Sequence, residues 1–403
     1  MSRVLLVCPE PLGHGHPAGV GVRFTEIARV LLADGHDVVV LSPDAGKIDG
    51  CGADFISNES FAAHSVESDV AVVQGHVANA FFLHAKPIPT VIDLYDPFII
   101  ENMNYWAERG AEVFQYDHLT LMGSLVRGDF FLCASEAQRL FYLGLLVATG
   151  RLNPMLFERD PRLESLIRLA PFGVQAPRPL APQHSHDILF GGVYDWYDPV
   201  RAIDVVKLVR EEIPDATLTF TRHPNPDITP QGKLAEAMQH AKKHRYDFVR
   251  FEPWAAYEQR AEYFERFALA LLTFPRSLET DLAMRTRIYD YLWCGLPIVT
   301  SSAPGTDELL VRYDAGTVIH DDAPGSFARE IVAILRDRAR YDRMRDGAQQ
   351  FVRAHQWDRT LAPLREFCRH PGFEKTKELF ATQPAIHERP PSILDRLKRR
   401  LRA

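Results

Sequence analysis

Six residues near the start of the chain, 3–8 (RVLLVC), follow one another without the polar alternation of a half-exposed strand. A run of this kind needs cover on both faces, which a parallel strand between helical layers receives. The pattern recurs at 37–41 (DVVVL), 70–74, 90–93 and 130–133, with helical-period stretches between, the first from Val22 to Asp34 and ended by Gly35. A second series follows the proline-rich segment 171–182 (PFGVQAPRPLAP), with strands at 188–191, 216–221, 249–252, 268–273 and 297–300. Helical patterns lie between them at 199–212, 257–264 and 286–293. The alternation predicts an α/β fold with parallel sheets. A length of 403 residues exceeds what one core serves, so two Rossmann-like domains are expected, 1–176 and 185–352, facing across a cleft.

Composition removes several classes of function. The net charge of −7 gives no basic field for nucleic acid. Five scattered cysteines (8, 51, 133, 294, 368) have no zinc or redox spacing and read as reduced thiols. No apolar run reaches the ~18–20 residues that span a bilayer, and the opening MSRVLLVCPEPLGHG turns polar too soon for a signal peptide. A cytoplasmic protein is expected. Residues 371–403 lose the strand signal and end in ERPPSILDRLKRRLRA, a basic amphipathic tail that reads either as a frayed end or as a peripheral contact with an anionic membrane at its inner face.

Ligands of open parallel sheets bind beyond the carboxyl ends of the strands, and five clusters sit there. In 14–23 (HGHPAGVGVR), Gly19 and Gly21 allow close backbone approach to a phosphate, while Phe24 departs from the dinucleotide fingerprint. His14 and His16 lack a nearby carboxylate, so no metal is assigned. In 93–97 (DLYDP), Asp93 and Asp96 can orient a sugar or acceptor hydroxyl, and Asp96 before Pro97 also reads as a helix cap. In 191–199 (GGVYDWYDP), Gly191 and Gly192 admit a phosphate and Trp196 or Tyr197 offers a face for a base. Arg222 and His223 precede prolines in a stiff loop, where a guanidinium can meet a diphosphate. The fifth cluster, 277–300, carries most weight: Glu279 in an acidic loop, then Arg285, Thr286 and Arg287 at a helix start, then Asp290 one turn on. Free N–H groups and arginines there suit a diphosphate leaving group without metal, and Asp290 suits ribose hydroxyls.

Residues 290–301 (DYLWCGLPIVTS) resemble the phrase A-x-G-x-P-V-V-x-S of the retaining family-four GT-B glycosyltransferases, with Asp290 at the second acid of their E-x7-E motif. Leu282 stands at the first acid, so Glu279 or Asp281 must take that role. GGVYDWYDP replaces the family's usual Arg and Lys after the first strand of the second domain, which passes phosphate binding to Arg222, Arg285 and Arg287. The stretches 19–44, 93–97, 131–146 and 171–174 are similar to a bacterial surface-polysaccharide subgroup. The resemblance implies sugar transfer from a nucleotide-diphosphate sugar to a glycan or lipid-linked acceptor, with retention and without a bound cofactor. It also implies that a helix at 353–370 crosses back to the first domain. A sugar-nucleotide 2-epimerase of the same architecture and a catalytically silent nucleotide-binding partner in a polysaccharide complex are the alternative readings.

Overall fold

The computed structural model describes residues 1–13, 19–182, 185–222 and 232–381, which form two compact units. One comprises residues 1–13, 24–170 and 363–381, and the other residues 19–23 and those described within 171–362.

The first unit holds β1 (Arg3–Val7), β2 (Asp37–Ser42), β3 (Gly52–Phe55), β4 (Val70–Gln74), β5 (Thr90–Asp93), β6 (Phe130–Cys133) and β7 (Ile167–Leu169). Their order is β3-β2-β1-β4-β5-β6-β7, every pairing parallel. The second unit holds β8 (Asp187–Gly192), β9 (Thr217–Arg222), β10 (Val249–Pro253), β11 (Leu269–Leu272), β12 (Ile298–Ser301) and β13 (Gly316–Ile319) in the order β10-β9-β8-β11-β12-β13, again parallel. Both sheets are Rossmann-like, with the order reversing beside the first strand of each. The strands read from uninterrupted apolar runs are the buried ones: all residues of β4, β5, β6, β11 and β12 are buried, as double-sided cover requires.

The first helix runs Gly19–Ala33, starting three residues before its apolar periodicity does. Gly19 and Gly21 therefore lie in its opening turn, not in the loop expected from sequence. Pro97 is likewise not the first helical residue: it occupies the cap of the helix Phe98–Glu101 without a side-chain cap bond, so the cap reading of Asp96 is not realised. No helix among the described residues is long and apolar enough to cross a membrane. The basic tail beyond residue 381 lies outside the described residues.

The C-terminal segment completes the first unit. The helix Ala362–Arg369 places Phe367 flat against Phe130, ring centroids 5.1 Å apart, while Arg365 Nε donates to Asp34 at 2.6 Å. Beyond it, Glu374 is buried beside the fully buried Arg151, Nη2 to Oε2 3.5 Å. Arg151 Nη1 donates to the carbonyls of Leu125 (2.9 Å), Val126 (3.2 Å) and Gly128 (2.6 Å), so one guanidinium closes the end of the helix Trp106–Arg127 and meets the C-terminal segment at Glu374. Asp129 accepts from Glu374 N at 2.8 Å and Lys377 Nζ at 2.6 Å. Burial pushes the Glu374 carboxyl up, but the Thr376 hydroxyl and amide and the Arg151 cation outweigh it and hold the carboxyl below its usual range.

Glu374→Gln should destabilise the first unit by about 3–5 kcal/mol in chemical denaturation, because it leaves Arg151 buried without its carboxylate. A carboxyl held low only in the folded state stabilises above its unfolded value, about 4.3. That contribution is lost as pH falls through the lower folded value. The unaltered protein should thus lose stability on acidification more steeply than Glu374→Gln, measured as the denaturation midpoint against pH.

Candidate active site

Strand β8 ends in a turn that a side chain would obstruct. Gly191 has φ +80°, and a Cβ there would fall on the Tyr291 hydroxyl; at Gly192 it would fall on the Trp254 ring. Tyr291 is itself buried and donates to the Phe190 carbonyl at 3.1 Å, so the turn is fixed from beneath. Arg287 Nη1 donates to the Gly192 carbonyl. Its guanidinium lies 4.4 Å from the Tyr197 ring centroid and 5.3 Å from that of Tyr194. The expected phosphate-binding glycines and one expected arginine are therefore brought together.

The loop after β8 is tied to the end of β11 by Asp198 N to Thr273 O at 2.9 Å and Thr273 Oγ1 to Asp198 O at 2.5 Å. Asp198 also caps the helix Pro199–Val209 by accepting from Arg201 N at 3.0 Å. Trp196, half-buried, stacks on Tyr194 with centroids 4.9 Å apart and 15° between planes. Arg222 is exposed at the end of β9, and its carbonyl accepts from Trp254 N at 3.0 Å. His223, like His14 and His16, lies outside the described residues.

The acidic loop of the fifth cluster contains a short helix, Leu278–Leu282, capped by Ser277 Oγ on Thr280 N at 3.1 Å. It turns Glu279 inward, 4% exposed, and leaves Asp281 exposed; Leu282, at the position where the family carries its first acid, is buried. Arg285, also 4% exposed, meets Glu279 through both arms, Nη1–Oε1 2.6 Å and Nη2–Oε2 2.7 Å. Its guanidinium carbon lies 5.0 Å from the Phe274 ring centroid and 5.2 Å from that of Tyr197. Sequence reading assigned Arg285 to a diphosphate; the structure instead commits its fork to Glu279, because a buried guanidinium needs a carboxylate at bidentate range.

Helix Thr286–Trp293 begins where expected, with Arg285 in the cap position and no side-chain cap, so its first amides have no side-chain acceptor at the cap. Thr286 and Arg287 form its first turn and are half-buried. Asp290 follows on the same helix and accepts from Arg260 Nε at 2.9 Å through Oδ1. Burial works against the Arg260 charge, but the Asp290 carboxylate outweighs it and holds the guanidinium above its ordinary range. Burial, reinforced by Asp290, pushes the Cys294 thiol to about 12, which leaves it an inert neutral group.

In the first unit, Asp93 is fully buried as the last residue of β5, and Asp96 is half-buried in the next loop. Gln138 Nε2 holds that loop by donating to the Tyr95 carbonyl at 2.9 Å. Burial raises the Tyr142 phenol well above its usual range, and the charges of Asp96, Glu101 and Asp93 add to the rise.

Sequence reading missed Trp254, Tyr194, Tyr257 and Arg260. The run PWAAYEQR directly after β10 carried a signal, since two aromatic residues and an arginine just beyond a strand end are placed to line a site. Among the described residues, no three His, Cys, Asp or Glu side chains converge as metal ligands.

The family model for glycosyl transferases group 1 matches residues 186–337, which span β8 to β13. No curated protein sequence matches the chain. Among solved structures, sucrose-phosphate synthase from Thermosynechococcus elongatus is similar at TM-score 0.67 and 13% identity, covering 92% of this chain and 98% of that one. HepE from Anabaena in complex with UDP-glucose is similar at TM-score 0.66 and 14% identity, covering 91% and 98%. WaaG, a glycosyltransferase involved in lipopolysaccharide biosynthesis, is similar at TM-score 0.61 and 14% identity, covering 92% and 100%. The family match lies within the second unit, and the chain has the two Rossmann-like domains of the GT-B fold.

The Glu279–Arg285 pair sets an energetic expectation. Glu279→Gln should cost about 3–5 kcal/mol by leaving Arg285 buried without its partner. Adding Arg285→Met should recover a large part of that loss, measured as a coupling energy from the four denaturation curves.

Proposed function

We propose that this GT-B glycosyltransferase transfers a sugar from a UDP-sugar to a glycan or lipid-linked acceptor, with retention and without a metal ion. The observation that carries the reading is Arg287, which sits at the Gly191–Gly192 turn and at the first turn of the helix Thr286–Trp293. A diphosphate placed there meets a guanidinium, amides at a helix start and a backbone without Cβ atoms. UDP is the nucleotide of choice because HepE, of the same fold, is known in complex with UDP-glucose.

In this reading the base lies by the aromatic loop of Tyr194 and Trp196, the ribose by Asp290, and Arg222 borders the nucleotide. Gly19 and Gly21, in the first turn of their helix, offer backbone toward the donor. As the anomeric carbon–oxygen bond lengthens, charge grows on the departing diphosphate. Arg287 and the helix amides stabilise that charge without reorganising. Glu279 contributes by keeping Arg285 and its loop in place rather than as a nucleophile. Asp93 and Asp96 orient the acceptor hydroxyl in the first unit. The acceptor oxygen bonds to the anomeric carbon on the face the leaving group vacates, and its proton passes to the departing phosphate. Retention rests on the family resemblance of residues 290–301. Work in the cytoplasm, with the tail on an anionic membrane surface, completes the proposal.

The test is a thermal-shift screen of UDP-, GDP-, dTDP- and CMP-sugars followed by turnover assays in EDTA. UDP-sugars should shift the melting point, and transfer should continue in EDTA. Arg287→Ala should lower kcat by about 10²–10³-fold with the fold intact; turnover near that of the unaltered protein refutes the assignment. A donor converted with no acceptor present would indicate an epimerase, and a donor bound but left intact with every acceptor tried would indicate a silent binding partner.

A further inference from the structure

Arg260 lies outside every residue assigned above to donor contact, yet its surroundings are built more tightly than those of any exposed arginine. It opens the short helix Arg260–Phe264 after β10 and is 7% exposed. Its guanidinium carbon lies 3.7 Å from the Tyr257 ring centroid and 4.7 Å from that of Trp293. Nη1 donates to the Tyr257 carbonyl at 2.7 Å, and Nε donates to Asp290 Oδ1 at 2.9 Å. The plane of the fork is thereby fixed by two rings and one carbonyl, and its remaining edge is spent on a single carboxylate oxygen.

We infer that Arg260 is a positioning residue for ribose recognition: it locks the Asp290 carboxylate through Oδ1 so that Oδ2 is presented to a ribose hydroxyl of the bound nucleotide. The inference rests on the proposed role of Asp290 at the ribose. The physical need is specific to this chain. Aspartate is one methylene shorter than the glutamate of the resembled motif, and an aspartate side chain that is 26% exposed would otherwise rotate about its terminal torsion. A hydrogen bond to a carboxylate discriminates against a ligand lacking the hydroxyl only if the acceptor is already aimed. Lysine cannot take this role, because it has neither the flat face that packs on Tyr257 and Trp293 nor a second donor in fixed geometry.

The experiment measures dissociation constants by calorimetry for UDP and 2′-deoxy-UDP, with GDP and 2′-deoxy-GDP as the parallel pair. Four chains are compared: the unaltered one, Arg260→Gln, Arg260→Lys and Asp290→Ala. The unaltered chain should prefer the ribonucleotide by about tenfold or more, the worth of a charge-assisted hydrogen bond. In Asp290→Ala and in both Arg260 variants this ratio should fall toward one, while affinity for the deoxynucleotide changes little. A residue that only stabilises the fold would weaken both nucleotides alike and leave the ratio intact, so the ratio separates the two roles. Arg260→Lys provides a folded variant should Arg260→Gln not fold. If Asp290→Ala collapses the ratio and the Arg260 variants keep it, the inference on Arg260 is overturned and the donor reading stands. If Asp290→Ala keeps the ratio, or the unaltered chain binds neither ribonucleotide, the ribose reading fails and takes the inference with it.

Discussion

A guanidinium enclosed at 4% exposure is tolerable only against a carboxylate, and the pairing of Arg285 with Glu279 is the constraint from which the rest of the second unit's site is arranged. The two residues are six apart, so the pair closes the loop between the helices Leu278–Leu282 and Thr286–Trp293. It leaves Arg285 at the cap position with both arms of its guanidinium donating to Glu279. Arg287, two residues on, then reaches the Gly192 carbonyl. Both guanidinium groups lie within 5.2 Å of the centroid of the Tyr197 ring. One ring thus packs against a cation with an internal partner and another that donates to the Gly192 carbonyl.

This division explains which parts of the site could be read from sequence. The order acid, base, acid at a strand–helix junction identified the segment, and the helix Thr286–Trp293 was located to the residue because its boundaries are local. What distinguishes Arg285 from Arg287 is burial and partner, which are tertiary. No local pattern says that Glu279 turns in while Asp281 turns out. Arg260 was invisible for the same reason, since it meets Asp290 across a separation of 30 residues. Gly191 was legible as a close-approach glycine, but the group that requires it, Tyr291, lies 100 positions further along the chain.

The fold followed a similar rule. Strands covered on both faces announced themselves as unbroken apolar runs, and those at 70–74, 90–93 and 130–133 agree with β4, β5 and β6 at both ends. The strands that escaped notice are β3, β7 and β13, each at an edge of its sheet and each with residues open to solvent. Edge strands need apolar cover on fewer sides, so short stretches such as GADF and IRL carry no run to detect. The opening turn of the Gly19–Ala33 helix was missed because glycine, favoured in loops, here begins a helix whose apolar register starts later.

The two units also differ in how much chemistry their architecture dictates. The family match stops at residues 186–337, within the second unit, where the proposed ligand is a nucleotide diphosphate. A diphosphate asks the same of any protein: a helix start, a bare backbone turn and a fixed cation. The features proposed for such a ligand here are the Gly191–Gly192 backbone and Arg287, which donates to the Gly192 carbonyl. An acceptor makes no such uniform demand. Its recognition is built from groups particular to each protein, and no residue of the first unit, where β5 ends on the buried Asp93, falls within the family match.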